Sequence, residues 1–170
     1  MGTPVEFEAW YRSELRRVVA LAYALTGSRA ASEELAQEAF LKALREWDRI
    51  AGYDDPSAWV RRVVVNQSRS WGRRRMAETR ALMRLSGRRA LPDELPPDAS
   101  AFWSAVRSLP SGQAQAAALF YAEDRSTADI AAILGVSEGT VKTHLSRARA
   151  ALAQRFEQSI PTDRATEVAR

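Results

Sequence analysis

Residues 126–152 read STADIAAILGVSEGTVKTHLSRARAAL, and their spacing decides the fold of the C-terminal part of the chain. Ala131 is small where two helices would cross closely, and Gly135 supplies the turn between them because glycine tolerates positive φ. Val141, six residues after the glycine, would pack the second helix back onto the first. We therefore predict a helix-turn-helix over this segment, with Ser137 capping its second helix.

The second helix of this motif separates an apolar face from a polar face at helical spacing. The stripe predicted to be buried consists of Val141, Leu145, Ala148 and Leu152. An α-helix fits the major groove of DNA, so the opposite face is a candidate for reading base edges. The candidates for base contacts are Thr143, Ser146 and Arg147, and those for phosphate contacts are Lys142 and Arg149. The alternative is a plain helical hairpin whose basic residues are only solvated.

Charge is distributed unevenly along the 170 residues. Residues 61–89 contain ten arginines and one acid, whereas residues 1–60 carry seven basic and ten acidic residues. The formal net charge of the whole chain is only +4. A basic run this one-sided favours a polyanion partner, such as nucleic acid, over a solvated arginine-rich helix face.

The composition excludes several classes of function. The chain has no cysteine and a single histidine, His144, which rules out disulfides, thiolate zinc sites and most histidine-based catalysis. Its acidic pairs do not follow a metal-loop pattern, and it has no glycine-rich phosphate loop. No apolar run is long enough to span a bilayer, and the N-terminus lacks a signal-peptide pattern. We therefore predict a cytoplasmic protein with no membrane insertion, catalytic residue, metal or cofactor.

Helical periodicity predicts an all-α chain of two small domains. Gly27 is predicted to end the first helix, Ser28 or Ser32 to start the second, and Asp55 to cap the third. The second helix is predicted to bury Leu35, Ala39, Phe40, Ala43, Leu44 and Trp47. The predicted domains are residues 1–86 and 101–157, separated by a flexible, proline-containing linker at residues 87–100 and followed by a disordered tail at residues 158–170.

These motifs together resemble the sigma-70 family of bacterial RNA polymerase sigma factors. Residues 129–149 resemble region 4 of that family, although the output domain of LuxR-type regulators has a similar form. Residues 32–44, SEELAQEAFLKAL, resemble region 2.2. Residues 56–67, PSAWVRRVVVNQ, followed by the arginines at 73–75, resemble regions 2.3 and 2.4. The order of the domains and the missing region 3 match the extracytoplasmic-function (ECF) group.

The resemblance implies a factor that binds core RNA polymerase, recognises the −35 and −10 promoter elements and helps to open the duplex. The stripe that docks on the clamp helices of polymerase would consist of Glu34, Gln37, Glu38, Leu41 and Arg45. The −10 element would be held by Tyr53, Arg61, Arg62, Asn66, Arg69, Arg73, Arg74 and Arg75. Tyr53, in the loop at residues 48–55, is equally compatible with stacking on a base and with the core. The partners implied are core polymerase, promoter DNA and the inhibitory anti-sigma protein that is common in the family.

Geometry allows the two domains to straddle a promoter. A linker of about 15 residues reaches at most ~50 Å, and domain radii of about 12 Å each extend the span to ~75 Å. Two helical turns of DNA span about 70 Å. The predicted domains can thus reach two promoter elements at once.

Two departures from the family pattern and two rival functions remain. The segment at residues 109–114, LPSGQA, lacks the basic residue usual at its end, which puts one contact near the −35 element in doubt. The helix that follows is rich in alanine, which is expected to loosen its packing. A LuxR-type regulator acting without polymerase would need an α/β receiver domain, which the N-terminal pattern does not predict. An RNA-binding protein is the other rival, and the helix-turn-helix argues against it.

Overall fold

The protein is all-helical in the part of the chain that the computed structural model describes, residues 2–86 and 97–157, with side chains described for residues 2–78 and 101–157. The helices are α1 (Pro4–Thr26), α2 (Arg29–Arg45), α3 (Trp47–Ile50), α4 (Pro56–Ser86), α5 (Pro97–Arg107), α6 (Ser111–Glu123), α7 (Thr127–Leu134) and α8 (Glu138–Glu157). The all-α prediction is confirmed. The linker predicted at residues 87–100 is too long at its end, because residues 97–100 already form the first turn of α5. Its residues 87–96 and the predicted tail at residues 158–170 lie outside the described residues.

Local sequence signals set the ends of the first two helices. The Thr3 hydroxyl accepts a hydrogen bond from the Glu6 N–H, and the Glu6 carboxylate accepts one from the Thr3 N–H, which completes a capping box. Gly27 follows α1 in the left-handed conformation with a φ of 67°, as predicted. The Ser28 hydroxyl accepts from the Ala31 N–H at 3.3 Å, so α2 starts at the earlier of its two predicted caps.

The segment between α2 and α4 is only partly the predicted loop. Residues 48–55 begin inside the short helix α3, whose Trp47 and Ile50 are 7% and 0% exposed. Burial of these two apolar side chains against the start of α1 and α4 holds the turn as a helix. The rest of the loop ends at Asp55, whose carboxylate accepts a hydrogen bond from a backbone N–H in the first turn of α4 at 3.0 Å. Asp55 therefore caps α4 as predicted.

Helix α6 is buried along most of its length, and its alanines explain why. The residues Ala114, Ala116, Ala117 and Ala118 are each no more than 8% exposed. Their short side chains let α6 contact α1, α5, α7 and α8. A helix that is apolar all round belongs in the interior of a protein. The expectation that alanine would loosen this helix is wrong, because the small residues allow close approach of its neighbours.

We call α1–α4 the N-terminal domain and α5–α8 the C-terminal domain, and these two sets of helices pack on each other and share one hydrophobic core. Helix α1 lies against α6, and α4 lies against α7. The shared core joins Leu21, Phe40 and Val64 of the first domain to Leu119 and Ile130 of the second. The sequence left the relative arrangement of the domains open. We call the observed packing the closed arrangement.

Candidate nucleic-acid interface

Helices α7 and α8 form the predicted helix-turn-helix. Gly135 ends α7 in the left-handed conformation with a φ of 68°. The Ser137 hydroxyl then accepts a hydrogen bond from the Thr140 N–H at 3.1 Å at the start of α8. The predicted inner stripe of α8, Val141, Leu145, Ala148 and Leu152, is at most 6% exposed. The structure therefore confirms the motif that the spacing predicts.

The opposite face of α8 is open to solvent in the closed arrangement. It carries all five residues predicted to contact the −35 element, Lys142, Thr143, Ser146, Arg147 and Arg149, and each is exposed. The Thr143 hydroxyl donates to the Gly139 carbonyl at 2.9 Å, and while it makes this bond its oxygen can still accept a hydrogen bond. The structure brings these side chains together on one helix face, while their contact with DNA stays a prediction.

Arg149 is supported by two aromatic side chains of α6. Its guanidinium carbon lies 5.2 Å from the centre of the Phe120 ring, and its Nε donates to the Tyr121 hydroxyl at 3.2 Å. Sequence reasoning missed Tyr121. The available signal was an aromatic residue with a polar end at the edge of an otherwise apolar helix, where the ring packs and the hydroxyl stays in water.

The basic face of α4 is also exposed over most of its length. The exposed residues predicted to contact the −10 element are Arg62, Asn66, Arg69, Arg73, Arg74 and Arg75. The helix rises about 20 Å between the first and the last of them, enough to follow several phosphates of one strand. In the loop before α4, Tyr53 is 39% exposed, with the Arg49 guanidinium carbon 5.8 Å from its ring centre. The structure excludes Tyr53 from the core, and its stacking on a base stays a prediction.

Arg61 is a correction to the predicted site. Its side chain is fully buried, where Nη1 donates to a Glu14 carboxylate oxygen at 2.7 Å and Nε pairs with the Glu123 carboxylate. Burial by itself would lower the pKa of Arg61, but the hydrogen bonds and charges of Glu123 and Glu14 outweigh it and raise the pKa above its ordinary value. A phosphate cannot reach Arg61 in the closed arrangement. Helical spacing could not reveal this, because Glu123 belongs to the other domain.

Two further arginines cross between the domains, and each lies at the end of a helix in the other domain. Arg62 lies against Gly135 at the end of α7, and Arg107 lies against Gly27 at the end of α1. The C-terminal end of a helix carries partial negative charge, which a guanidinium group complements. In the closed arrangement Arg62 is therefore exposed, but its guanidinium group already contacts the end of α7.

The predicted polymerase-docking stripe lies on the surface of α2. Its members Glu34, Gln37, Glu38, Leu41 and Arg45 are all exposed. The Gln67 amide of α4 donates to the Glu38 carboxylate at 2.7 Å, which fixes one edge of the stripe. Leu41 is 47% exposed, and the docking of this stripe on polymerase stays a prediction.

Leu44 is a second correction, because it was predicted to lie in the core and is 50% exposed. With Leu41 it borders a small cavity of about 250 Å³ between α1 and α2, whose other lining residues are Phe7, Tyr11, Gln37 and Phe40. Leu44 lies one helical turn from Leu41, so it extends the apolar part of the predicted docking stripe. Sequence periodicity placed it at the border of the buried face, where a shift of one position decides burial.

Among residues 2–86 and 97–157, no group of three or more histidine, cysteine or acidic residues could hold a metal ion. In that same part of the chain, no helix is long and apolar enough to cross a membrane.

Comparison with known proteins identifies the family. The chain matches the family models "Sigma-70 region 2" over residues 10–78 and "Sigma-70, region 4" over residues 99–152. It is 30% identical to the RNA polymerase sigma-E factor of Streptomyces avermitilis over 98% of this chain and 93% of that protein. The chain belongs to the sigma-70 family. Within that family it is an ECF sigma factor, a promoter-recognising subunit of RNA polymerase.

Two further relatives extend this comparison. The sigma factor is 33% identical over 82% of its length to the probable RNA polymerase sigma factor RfaY of Xanthomonas campestris, of which it spans only 38%. A co-crystal structure of the sigma factor RpoE with the anti-sigma factor NepR from Bartonella quintana matches with a TM-score of 0.70 at 26% identity, over 89% of this chain and 97% of that chain. Coverage this high includes both domains.

The LuxR-type alternative is not favoured. Such a regulator would need an α/β receiver in its N-terminal domain. Residues 2–86, which form α1–α4 and the turns between them, contain no strand. The region 2 match over residues 10–78 accounts for this domain as part of a sigma factor.

Proposed function

We propose that α8 of this sigma factor reads the −35 element, that α4 and the loop before it hold the −10 element, and that the exposed stripe on α2 docks on core RNA polymerase. The observation that carries the proposal is the outer face of α8. It follows a helix-turn-helix, lies opposite a fully packed stripe and presents polar and basic side chains to solvent. A helix with this division of faces fits the major groove.

The proposed mechanism uses binding energy and no bond chemistry. Extruding and unpairing a base costs on the order of a few kcal/mol. Contacts to captured bases offset that cost, and so does the release of counterions when arginines neutralise phosphates. On α4, Asn66 offers an amide for a base edge and Arg69 and Arg73–Arg75 offer guanidinium groups for the backbone. Tyr53 offers a ring on which an unpaired base can stack.

The proposal also covers the domain boundaries, the cellular location and an inhibitory partner of the protein. We infer that the first domain ends at residue 86, that the second begins with α5 at Pro97, and that the protein is located in the cytoplasm, where the polymerase acts. We also infer an anti-sigma partner, because the sigma factor in the RpoE–NepR structure matches this chain over both domains.

Reconstituted transcription tests this proposal directly. Purified protein is mixed with core RNA polymerase and a promoter library, and the transcripts are sequenced from their 5′ ends. We expect start sites that share a −35 and a −10 element and that are absent with core polymerase alone. Failure of the purified protein to bind core polymerase would refute the proposal, however well the C-terminal domain alone bound duplex DNA.

A further inference from the structure

Five charged residues of alternating sign meet where the two domains touch. In order they are Asp55, Arg125, Glu123, Arg61 and Glu14, and we call them the charged ladder. Arg125 Nη1 lies 3.9 Å from Asp55 Oδ2, and Arg125 Nε lies 3.4 Å from Glu123 Oε2. Arg61 joins Glu123 directly and reaches Glu14 Oε2 at 2.7 Å.

Solvent exposure is lowest at the centre of the charged ladder and increases toward both ends. The Arg61 and Glu123 side chains are 0% and 1% exposed. Exposure rises to 13% at Glu14, 19% at Arg125 and 44% at Asp55. An ion pair interacts most strongly where water is excluded, so the contact between Arg61 and Glu123 dominates the ladder. The exposed contact of Arg125 with Asp55 contributes less.

Separating the domains would break only two contacts of the charged ladder. Arg61 with Glu123, and Arg125 with Asp55, join one domain to the other. The contact of Arg61 with Glu14 lies within the N-terminal domain, and that of Arg125 with Glu123 lies within the C-terminal domain. Each of the two buried charges thus keeps one partner when the domains part and gains water. The ladder can open without leaving an isolated buried charge, which would be costly.

Stability alone does not explain a buried charge pair at this place. Within the described part of the chain, Arg61 Nη2 and Glu123 Oε1 are buried without a hydrogen-bond partner. Apolar side chains of similar volume often match or exceed the stability of a buried ion pair. A charge pair whose members water can solvate once the domains part instead suits a contact that has to open.

In the closed arrangement the protein cannot bind both promoter elements at once. Helix α4 contacts α7, and Arg62 of the −10 surface lies against Gly135 of the helix-turn-helix. The two promoter elements that these helices would bind are separated by about two turns of duplex, roughly 70 Å. Both elements can be engaged together only after the domains separate.

We propose that the charged ladder is a reversible latch that holds the free sigma factor closed, and that engaging polymerase and promoter requires the breaking of its two contacts between the domains. This inference rests on the proposed function, because the spacing of the two promoter elements is what demands separation. Arg61 is the centre of the latch because it pairs with a carboxylate from each domain.

Energy transfer between two dyes measures closure. The chain has no cysteine, so Ala9→Cys and Ala153→Cys, both at exposed positions, give two specific labelling sites, one in each domain. Glu123→Gln keeps the size of the side chain and removes its charge. The matched control is Glu8→Gln, which breaks the exposed pair of Glu8 with Arg12. Circular dichroism checks that every variant is folded.

We expect Glu123→Gln to lower the closed-to-open ratio on the order of tenfold and to raise the apparent affinity for core polymerase by up to the same factor. Glu8→Gln should change neither quantity. Energy transfer and polymerase affinity that are both unchanged in Glu123→Gln would overturn the latch. If this variant loses its fold, Asp55→Asn takes its place, because asparagine keeps the cap of α4 and removes one ladder charge.

Replacing the buried charge pair by apolar side chains tests whether the latch has to be reversible, because it should stabilise the closed arrangement. The double variant Arg61→Met with Glu123→Leu should transfer energy at least as well as the parent and bind core polymerase more weakly. Tighter binding than the parent would overturn the reversibility argument. A failure of the proposed sigma-factor function would give a different result. If energy transfer falls in Glu123→Gln but no form of the protein binds polymerase, the latch stands and the proposed function fails.

Discussion

Helices α8 and α4 both carry a predicted DNA-binding face, but the closed arrangement treats the two faces differently. All five predicted residues on α8 remain exposed. On α4, the C-terminal part of the face is exposed, whereas Arg61 is fully buried and Arg62 lies against Gly135 of the other domain. The predicted DNA-binding face of α8 is fully open to solvent, whereas that of α4 is partly occupied by contacts between the domains.

The difference shows what helical periodicity can and cannot report. Periodicity divides the faces of α8 correctly because the inner face of α8 packs mainly within its own domain. It misassigns Arg61 because the burial of that residue depends on Glu123, which is 62 positions away in the chain. A charged residue on an apparently polar face can therefore belong to an interface between domains.

The largest effect is expected on α4. Replacing Arg73, Arg74 and Arg75 together by alanine should lower affinity for promoter DNA by roughly 100-fold and flatten its salt dependence. Each lost phosphate contact should reduce the log–log slope by about 0.7–0.9, because fewer counterions are released. The measurement is a salt titration of holoenzyme binding to a promoter fragment. The control Arg12→Ala removes an exposed arginine of α1 and should keep the parental slope. An unchanged slope in the triple variant would show that these arginines are not phosphate contacts.

The next effect concerns α8. Arg147→Ala should cost about 1–3 kcal/mol of discrimination at the −35 element, because a guanidinium group can read a base edge through two hydrogen bonds. Binding is compared between the preferred −35 sequence and versions with single base changes. Lys142→Ala is the control, since loss of a phosphate contact should weaken every sequence alike. An equal loss on all sequences in Arg147→Ala would contradict base reading by this residue.

Most of the fold could be predicted from local signals in the sequence. Gly27 and Gly135 mark helix ends because each needs a positive φ, and Ser28, Asp55 and Ser137 mark helix starts because their side chains accept backbone hydrogen bonds. These signals act within a few residues. They therefore hold whatever the rest of the molecule does.

The contacts between the domains could not be predicted in the same way. Burial of Arg61 and the contact of Arg107 with Gly27 depend on how the two sets of helices pack on each other. One signal was present but was interpreted wrongly. The alanines of α6 make a helix that is apolar on every side, and such a helix needs partners on every side. Helix α1 of the other domain is one of them.

A moderate effect is expected at the polymerase-docking stripe on α2. Glu38→Lys should weaken binding of core polymerase about tenfold, because it reverses a charge in the proposed interface and also removes the acceptor of the Gln67 hydrogen bond. Glu33→Lys is the control on the same helix, outside the stripe. Holoenzyme assembly is measured by titration with labelled protein. Normal assembly of the Glu38 variant would contradict the docking stripe.

The smallest effect should arise at the support of Arg149. Tyr121→Phe keeps the aromatic ring and removes the hydroxyl that accepts from Arg149 Nε at 3.2 Å. We expect a loss of about 0.5–1 kcal/mol in affinity for a duplex that carries only the −35 element, equal for all sequences, because a phosphate contact positions the helix without reading bases. Tyr53→Phe removes a hydroxyl from the other domain and should leave this affinity unchanged. A loss confined to one −35 sequence would instead make Arg149 a base-reading residue and would move it from the phosphate contacts to the group of Arg147.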